Sequence, residues 1–461
     1  MGAMRVETMD EFRRAVATLV EKEDAKRDGF MPRAIRSVTG LKNAADIRTL
    51  GFLFYYFATL ALLWRWNDVV PANLGGSKWI DGAIYGSVWY TNLYFSFLGS
   101  VMTHNIMHTA LFSKPWANKV TQLLLTLTYG HPVSSYVPGH NLSHHKYTQS
   151  KRDVMSSYLV KSKYHALNFI KFQPSVSISV LQSDFRYIMY QKERGNWMFV
   201  SQAMRELAFL IVVQAVLLYH GGFAKWFGLF YVPHFFAQYA IVTLSLLQHD
   251  GCEVYDRNRP TIDWNTSRNF TNDFLNFFCL NNGYHTVHHL VPTAHWSYGK
   301  IIHDALVKGR TDERLVWPSM ANFVWTQYFC NANPWNEVKE RRMYDGRLDV
   351  EPLDVTIGEV ARQEMKSKNA VAAAADAKIA TTEGIRQRGA KKVASDEPVA
   401  ESDGKPDKPS LMYEEWLTFP DDFDRSLVPA TKGELGVSVG LLFVKILISP
   451  FYSIDPGLRL V

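Results

Sequence analysis

Cysteine is scarce in this chain. Three occur in 461 residues, Cys252, Cys279 and Cys330, and no two form a CxxC pair. That excludes a disulfide framework and gives no support to a thiolate iron or zinc module. Each reads as a small apolar filler, with Cys252, three residues after His249, the one beside the histidines considered below. Charge is equally thin inside the long apolar segments, which argues against an ion path through them. The net charge of +6 is modest and dispersed, so a nucleic-acid partner is not expected. Glu-x-x-His pairs on two helices, the mark of a carboxylate-bridged metal pair in a soluble bundle, do not occur. The first 48 residues are charged and lack the apolar core of a secretory signal.

What is present is aromatic and apolar. Hydrophobic residues make up 47% and aromatics 14%, yet mean hydropathy is only −0.13, so a few buried spans must be attached to much polar mass. Four segments approach the roughly 20 apolar residues that cross about 30 Å of hydrocarbon. They are Thr49 to Trp66, Ala83 to Thr103, Leu207 to Phe223 and Trp226 to Leu247, the last two joined by a very short connection. Lys119 to Tyr136 is apolar but carries Gly130, His131 and Pro132, and reads as an interfacial or re-entrant hairpin.

Four crossings in two hairpins leave both termini on one side of the membrane. That side collects Lys146, Lys151, Arg152, Lys161, Lys163, Lys171, Lys192 and Arg194, whereas the other receives Lys78 and Lys225. The positive-inside rule makes the first side cytoplasmic. The expected fold is an all-α integral membrane protein, with four transmembrane helices in two hairpins and a helical cytoplasmic cap. Residues 1–48 read as a cytoplasmic arm and 49–350 as the membrane catalytic domain. Residues 351–410, poor in aromatics, read as a disordered linker. Residues 411–461 form an extension in which Val437 to Tyr452, with Lys445 and Pro450, suits a peripheral or docking segment better than a span.

Eight of the 15 histidines sit in three clusters: His104 and His108; His140, His144 and His145; His285, His288 and His289. All fall on the cytoplasmic side of the expected topology, as a shared metal site requires. On an α-helix, positions i, i+3 and i+4 share a face. His104 is then paired with His108, and His140 with His144, His145 stepping to the next face, while His285 meets both His288 and His289. Imidazole suits iron, zinc, copper and nickel. One such pair alone is as well explained by a solvated helix face; three on one side of a membrane are not. His249, at the end of the fourth span, becomes a ninth candidate in this company.

Neighbouring residues have plainer readings. Asp250 either orients His249 or is a solvated carboxylate at a span end. Asn281 and Asn282 either bond a ligand or a metal-bound water, or cap a helix, the commoner use. His295 stands near the third cluster, where a structural role is the commoner one. His131 reads as structural, and His165, His220, His234 and His303 lack clustering and receive no role. Trp89, Tyr90, Tyr94 and Phe95 could line an apolar tunnel, although aromatic stripes on spans more often pack or face lipid.

The order HxxxH, HxxxHH, HxxHH, together with LLQHDGCEVYD and NNGYHTVHHLVPTAHW, resembles the membrane fatty-acid desaturase and hydroxylase superfamily, and within it the acyl desaturase branch. The resemblance covers residues 49–300 and implies a non-haem di-iron centre (Fe2+/Fe3+) using O2 as co-substrate. The ligands it implies are His104, His108, His140, His144, His145, His249, His285, His288 and His289, with no catalytic residue beyond them. It implies a long acyl substrate and, most directly, desaturation; hydroxylation, acetylenic bond formation and alkene-forming decarboxylation occur in the same superfamily. No HPGG haem element and no rubredoxin-type CxxC pairs are present, so a separate electron donor of cytochrome b5, ferredoxin or rubredoxin type is expected. A multi-pass location in a bacterial inner membrane or the endoplasmic reticulum follows from the same resemblance. The rival reading, a histidine-rich metal transporter, predicts ionisable groups within the spans, which are nearly free of them.

Overall fold

The computed structural model describes residues 6–150, 152–160, 164, 166–193, 195–256 and 261–330. The expectations for 351–410 and 411–461, and for the last part of the catalytic domain, lie outside these residues.

The described chain is mainly helical. It opens with α1 (Met9–Arg27), started by a capping box in which Thr8 and Glu11 each bond the other's backbone N–H. Next comes α2 (Phe30–Thr39), which stops at Gly40 with φ 74°. The arm is docked rather than free. Phe12, Ala15 and Val16 of α1 are buried against Tyr284, Val287, Val291 and Ile302. The N-terminal arm therefore supports the segment that carries the third histidine cluster.

The apolar α3 (Ile47–Trp64) is followed by the single turn α4 (Trp66–Val69) and the long α5 (Lys78–Ile106), capped by Ser77. At 1.5 Å per residue α5 is about 44 Å long, and its last turn bears His104. Then α6 (Pro115–Tyr129) begins on Pro115 and ends at Gly130 with φ 69°. The stretch 119–136 is thus helical to Tyr129 and turns at Gly130 and Pro132 into a 3₁₀ turn at Val133–Ser135. α6 lies close to α5 because Gly99 has no side chain: a Cβ there would meet Thr128 Oγ1 at 2.0 Å. Ser96 Oγ lies 2.5 and 3.1 Å from the carbonyls of Thr128 and Pro233 and links these two helices to a third.

A π-helical segment, Val137–His144, runs directly into the short α7 (His145–Tyr147). After α8 (Asn168–Glu193), α9 (Trp197–Trp226) leads into α10 (Val232–His249) through a π-helical turn at Phe227–Tyr231. Gly222 breaks the helical path with φ 72° and ψ 170°. Gln214 Nε2 on α9 consequently reaches His234 Nδ1 on α10 at 3.3 Å. That ring also lies 2.7 Å, through Nε2, from the Leu127 carbonyl, so His234 is a packing histidine.

Ala44–Trp64 and Trp197–His249 are each long and apolar enough to cross a membrane. Beyond α10 the chain forms β1 (Asn269–Phe270), α11 (Asp273–Phe278) and α12 (His285–Leu290). β1 pairs in parallel with β2 (Val316–Trp317). This two-residue ladder is a clasp rather than a sheet layer. It holds the 265–290 segment against the buried end of α10.

Candidate metal centre

The histidines arrive from four places. The last turn of α5 carries His104, with His108 in the turn that follows. The π-helical segment and α7 supply His140, His144 and His145; α10 ends on His249; α12 supplies His285, His288 and His289. The structure brings all nine together, but as two groups. His104, His108, His140, His145 and His288 form one, and His144, His249, His285 and His289 the other. Within each group the candidate ligand atoms lie within 4.8 Å of one another.

The grouping departs from the pairing expected of an α-helix. His140 does not pair with His144. Its Nε2 lies 3.0 Å from Nε2 of His145, and His144 turns to the second group. The reason is the winding: in a π-helix the N–H of residue i+5 bonds the carbonyl of residue i, and here His145 N–H bonds His140 C=O. Positions five apart come onto one face. In α12 the α-helical rule sends His285 and His289 to one group, and His288 to the other.

These donor atoms fit a metal better than they fit one another. Nε2 of His249 lies 2.9 Å from that of His285, and His289 Nε2 lies 3.2 Å from each. His249 Nδ1 is 2.9 Å from the Thr266 carbonyl, which can only accept, so the ring proton sits on Nδ1 and Nε2 presents a bare lone pair. His289 is held alike: its Nδ1 is 3.3 Å from Thr148 Oγ, whose own proton goes to the His144 carbonyl at 2.9 Å. Lone pairs crowded this closely call for a cation. An imidazole nitrogen sits about 2.1 Å from a bound first-row metal, which sets neighbouring ligands at right angles about 3.0 Å apart. In the first group the Nε2 atoms of His108 and His288 are buried without a hydrogen-bond partner, as ligand atoms would be.

Burial also disfavours the charged form of several rings. It pushes the imidazoles of His140, His145, His285, His288 and His289 well below the usual histidine range, and neighbouring imidazoles push the same way. A neutral imidazole is the form that ligates.

Residues that spacing did not reveal orient the rings. Asp153 Oδ2 lies 2.9 Å from His144 Nδ1 and also accepts the N–H of Gln149 at 2.8 Å. A carboxylate behind a ligating imidazole fixes its tautomer and raises its basicity. Gln149 Nε2 donates to the His249 carbonyl at 2.6 Å. The only outward sign of Asp153 in the sequence is one acid in a run with Lys151 and Arg152.

Asp250 does not orient His249. Its carboxylate accepts from Tyr328 O–H at 2.9 Å and Tyr164 N–H at 3.0 Å. Asn282 caps no helix; its Nδ2 lies 3.3 Å from His104 Nδ1 and its Oδ1 accepts from Gln248. Asn281 donates to the Trp296 carbonyl. His295 belongs to neither group, bonding Asp46 at 3.0 Å and Ser297 at 2.9 Å. Cys252 is buried with its thiol 3.5 Å from the Gln248 carbonyl, outside both groups.

A cavity of about 110 Å³ abuts His104, His140, His144 and His285 and runs between α8 and α10, with Val176, Val180, Ile241 and Val242 among its walls. Trp89, Tyr90, Tyr94 and Phe95 do not line it. Trp89 instead donates to the Gly228 carbonyl, Tyr94 packs on Phe278, and Tyr90 is exposed. A smaller cavity, about 40 Å³, touches His104, His108 and His288 from another side.

Comparison with known proteins adds one result and one absence. No curated protein matches the chain. The model of the fatty acid desaturase family matches residues 78–318, more than half of the chain, and that stretch contains every histidine of both groups. Two close-set groups of imidazoles at the ends of apolar helices, within a segment that matches the family's model, place this chain in the fatty acid desaturase family.

Proposed function

We propose that the protein is an O2-dependent membrane oxidoreductase that desaturates a long fatty acyl chain at a di-iron centre. In this reading four crossings, carried by α3, α5, α9 and α10, leave the histidines and both termini on the cytoplasmic face. His104, His108, His140, His145 and His288 hold one iron, and His144, His249, His285 and His289 the other. The observation that carries the reading is the division of nine imidazoles into two groups beside one apolar cavity.

Bound iron supplies the activation of O2 and the abstraction of hydrogen from an unactivated methylene, chemistry that side chains do not perform. The chain's own residues do the rest. Val176, Val180, Ile241 and Val242 offer walls that a methylene chain wets and water does not. Their alignment along α8 and α10 sets which carbons lie against the imidazoles. Asp153, Thr148 and the Thr266 carbonyl hold the rings of the four-histidine group in place. In balance, the acyl chain loses two hydrogens and gains a double bond, while O2, two protons and two electrons complete two waters. The electrons come from a separate carrier of cytochrome b5, ferredoxin or rubredoxin type.

The test is expression with a suitable reductase, followed by mass spectrometry of the acyl products, for the wild type and His288→Ala. New double bonds in the wild type alone are expected. A hydroxylated chain without an alkene would overturn the desaturase assignment in favour of a hydroxylase of the same family.

A further inference from the structure

The two groups differ in what stands behind their imidazoles. In the four-histidine group, three rings have a protein acceptor on Nδ1. His144 has the Asp153 carboxylate at 2.9 Å, His249 the Thr266 carbonyl at 2.9 Å, and His289 the Thr148 hydroxyl at 3.3 Å. Asp153 is itself locked by the backbone N–H groups of Gln149 and Met155, each at 2.8 Å. Three of the four rings are thus set in tautomer and direction before any ion arrives, while His285 Nδ1 is buried without a partner.

The five-histidine group has little of this. His104 Nδ1 has only the neutral amides of Asn105 at 3.2 Å and Asn282 at 3.3 Å. His145 Nδ1 is buried without a partner. No carboxylate contacts any ring of this group among the described residues. Three of its five members, His104, His108 and His288, line the smaller cavity, which no histidine of the other group touches; the larger cavity is shared, with His104 and His140 from one group and His144 and His285 from the other.

Resting on the two-iron reading, we infer that the groups fill and empty in a fixed order. The four-histidine group holds its iron more tightly, and the five-histidine group fills last and loses its iron first. The extra imidazole of the larger group does not reverse this. Donors that must reorient on binding lose the advantage of number, and outer partners alone change metal affinity by roughly 10–100-fold. The Nε2 atoms of His249, His285 and His289, 2.9–3.2 Å apart, are already at ligand spacing, whereas the larger group shows such spacing between His140 and His145. The one-iron form of the protein therefore carries its ion on His144, His249, His285 and His289. The five-histidine group, which alone lines the smaller cavity, is the one through which metal exchanges.

The experiment uses the full chain in detergent, loaded anaerobically with ferrous iron and mixed with excess ferrous chelator. Iron remaining per chain is counted over time by mass spectrometry. Two phases of one ion each are expected, the first faster by roughly tenfold or more. His288→Ala should lack the fast phase and keep the slow ion. Asp153→Asn should speed the slow phase by roughly tenfold and leave the fast phase unchanged. If Asp153→Asn proves poorly folded by thermal unfolding, Thr148→Val, which removes the acceptor behind His289, should speed the same phase by a smaller factor. Two ions leaving at a single rate, or a slow phase that neither variant alters, would overturn the order and leave the two-iron reading standing. A wild-type chain that holds fewer than two ions would overturn both.

Discussion

His140 and His145 face each other with their Nε2 atoms 3.0 Å apart, across a turn that winds as a π-helix. Wound as an α-helix, the same five residues would pair His140 with His144 and leave one group short of a histidine. Single π-turns often mark functional sites for this reason: the added residue re-aims a side chain.

The partition gives the first prediction. His145→Ala and His144→Ala, though adjacent in sequence, should each lower bound iron by about one ion per chain, from different groups. Each should also reduce product formation on the order of 100-fold, since loss of outer partners alone costs up to that much. Iron counting and product analysis on the two variants check this. Loss of the same ion from both would refute the partition.

The cavity gives the second. Val180 lies on its α8 wall and is not one of the nine candidate ligands. Val180→Phe should fill part of the 110 Å³ space, displacing the acyl chain and lowering turnover about tenfold or more. Iron content should stay at two per chain, because no ligand is touched. Unchanged turnover on a panel of acyl chain lengths would place the substrate elsewhere.

The arm gives the third. Phe12 is fully buried and meets Trp264 edge to face, with ring centroids 5.5 Å apart. Phe12→Ala should destabilise the fold by about 3–5 kcal/mol, the cost of emptying a core aromatic site. Because its neighbours include Val287 and Val291, the loss should show first around α12. Hydrogen exchange across 284–291, compared with exchange in α3, measures that difference.

His295 gives the fourth. It resembles a ligand by position, but its ring joins Asp46, which also accepts from Trp296 Nε1 at 2.8 Å and Thr49 Oγ1 at 3.2 Å. His295→Ala should retain both irons. It should cost about 1–3 kcal/mol of stability by leaving a buried carboxylate short of a donor. Metal content and thermal unfolding of the purified variant separate the two roles.

Much of this protein is legible without coordinates. Apolar segments near 49–66, 83–103 and 207–247 announce α3, α5, α9 and α10, because length and hydropathy are local properties. The three histidine clusters and the solitary His249 stand out for the same reason, and their order carries the family resemblance. Gly222 was hidden within an apolar run, and the regular α6 was obscured by the glycine and proline that follow it. Adjacency in sequence leaves Asp250 open as either the partner of His249 or a solvated carboxylate. The chain instead turns at Gly251, with φ 78°, and sends that carboxylate to Tyr164 and Tyr328.

The sequence by itself determined that many imidazoles would gather at one end of a set of apolar helices. Only the tertiary structure decided which imidazole shares an ion with which. His104 and His288 belong together although 184 residues separate them, and His144 and His145 belong apart although they are neighbours. The first fact depends on how α5 packs near α12, and the second on whether one turn winds as α or π. Both are settled by packing and backbone hydrogen bonds across the whole molecule, which no window of local sequence contains.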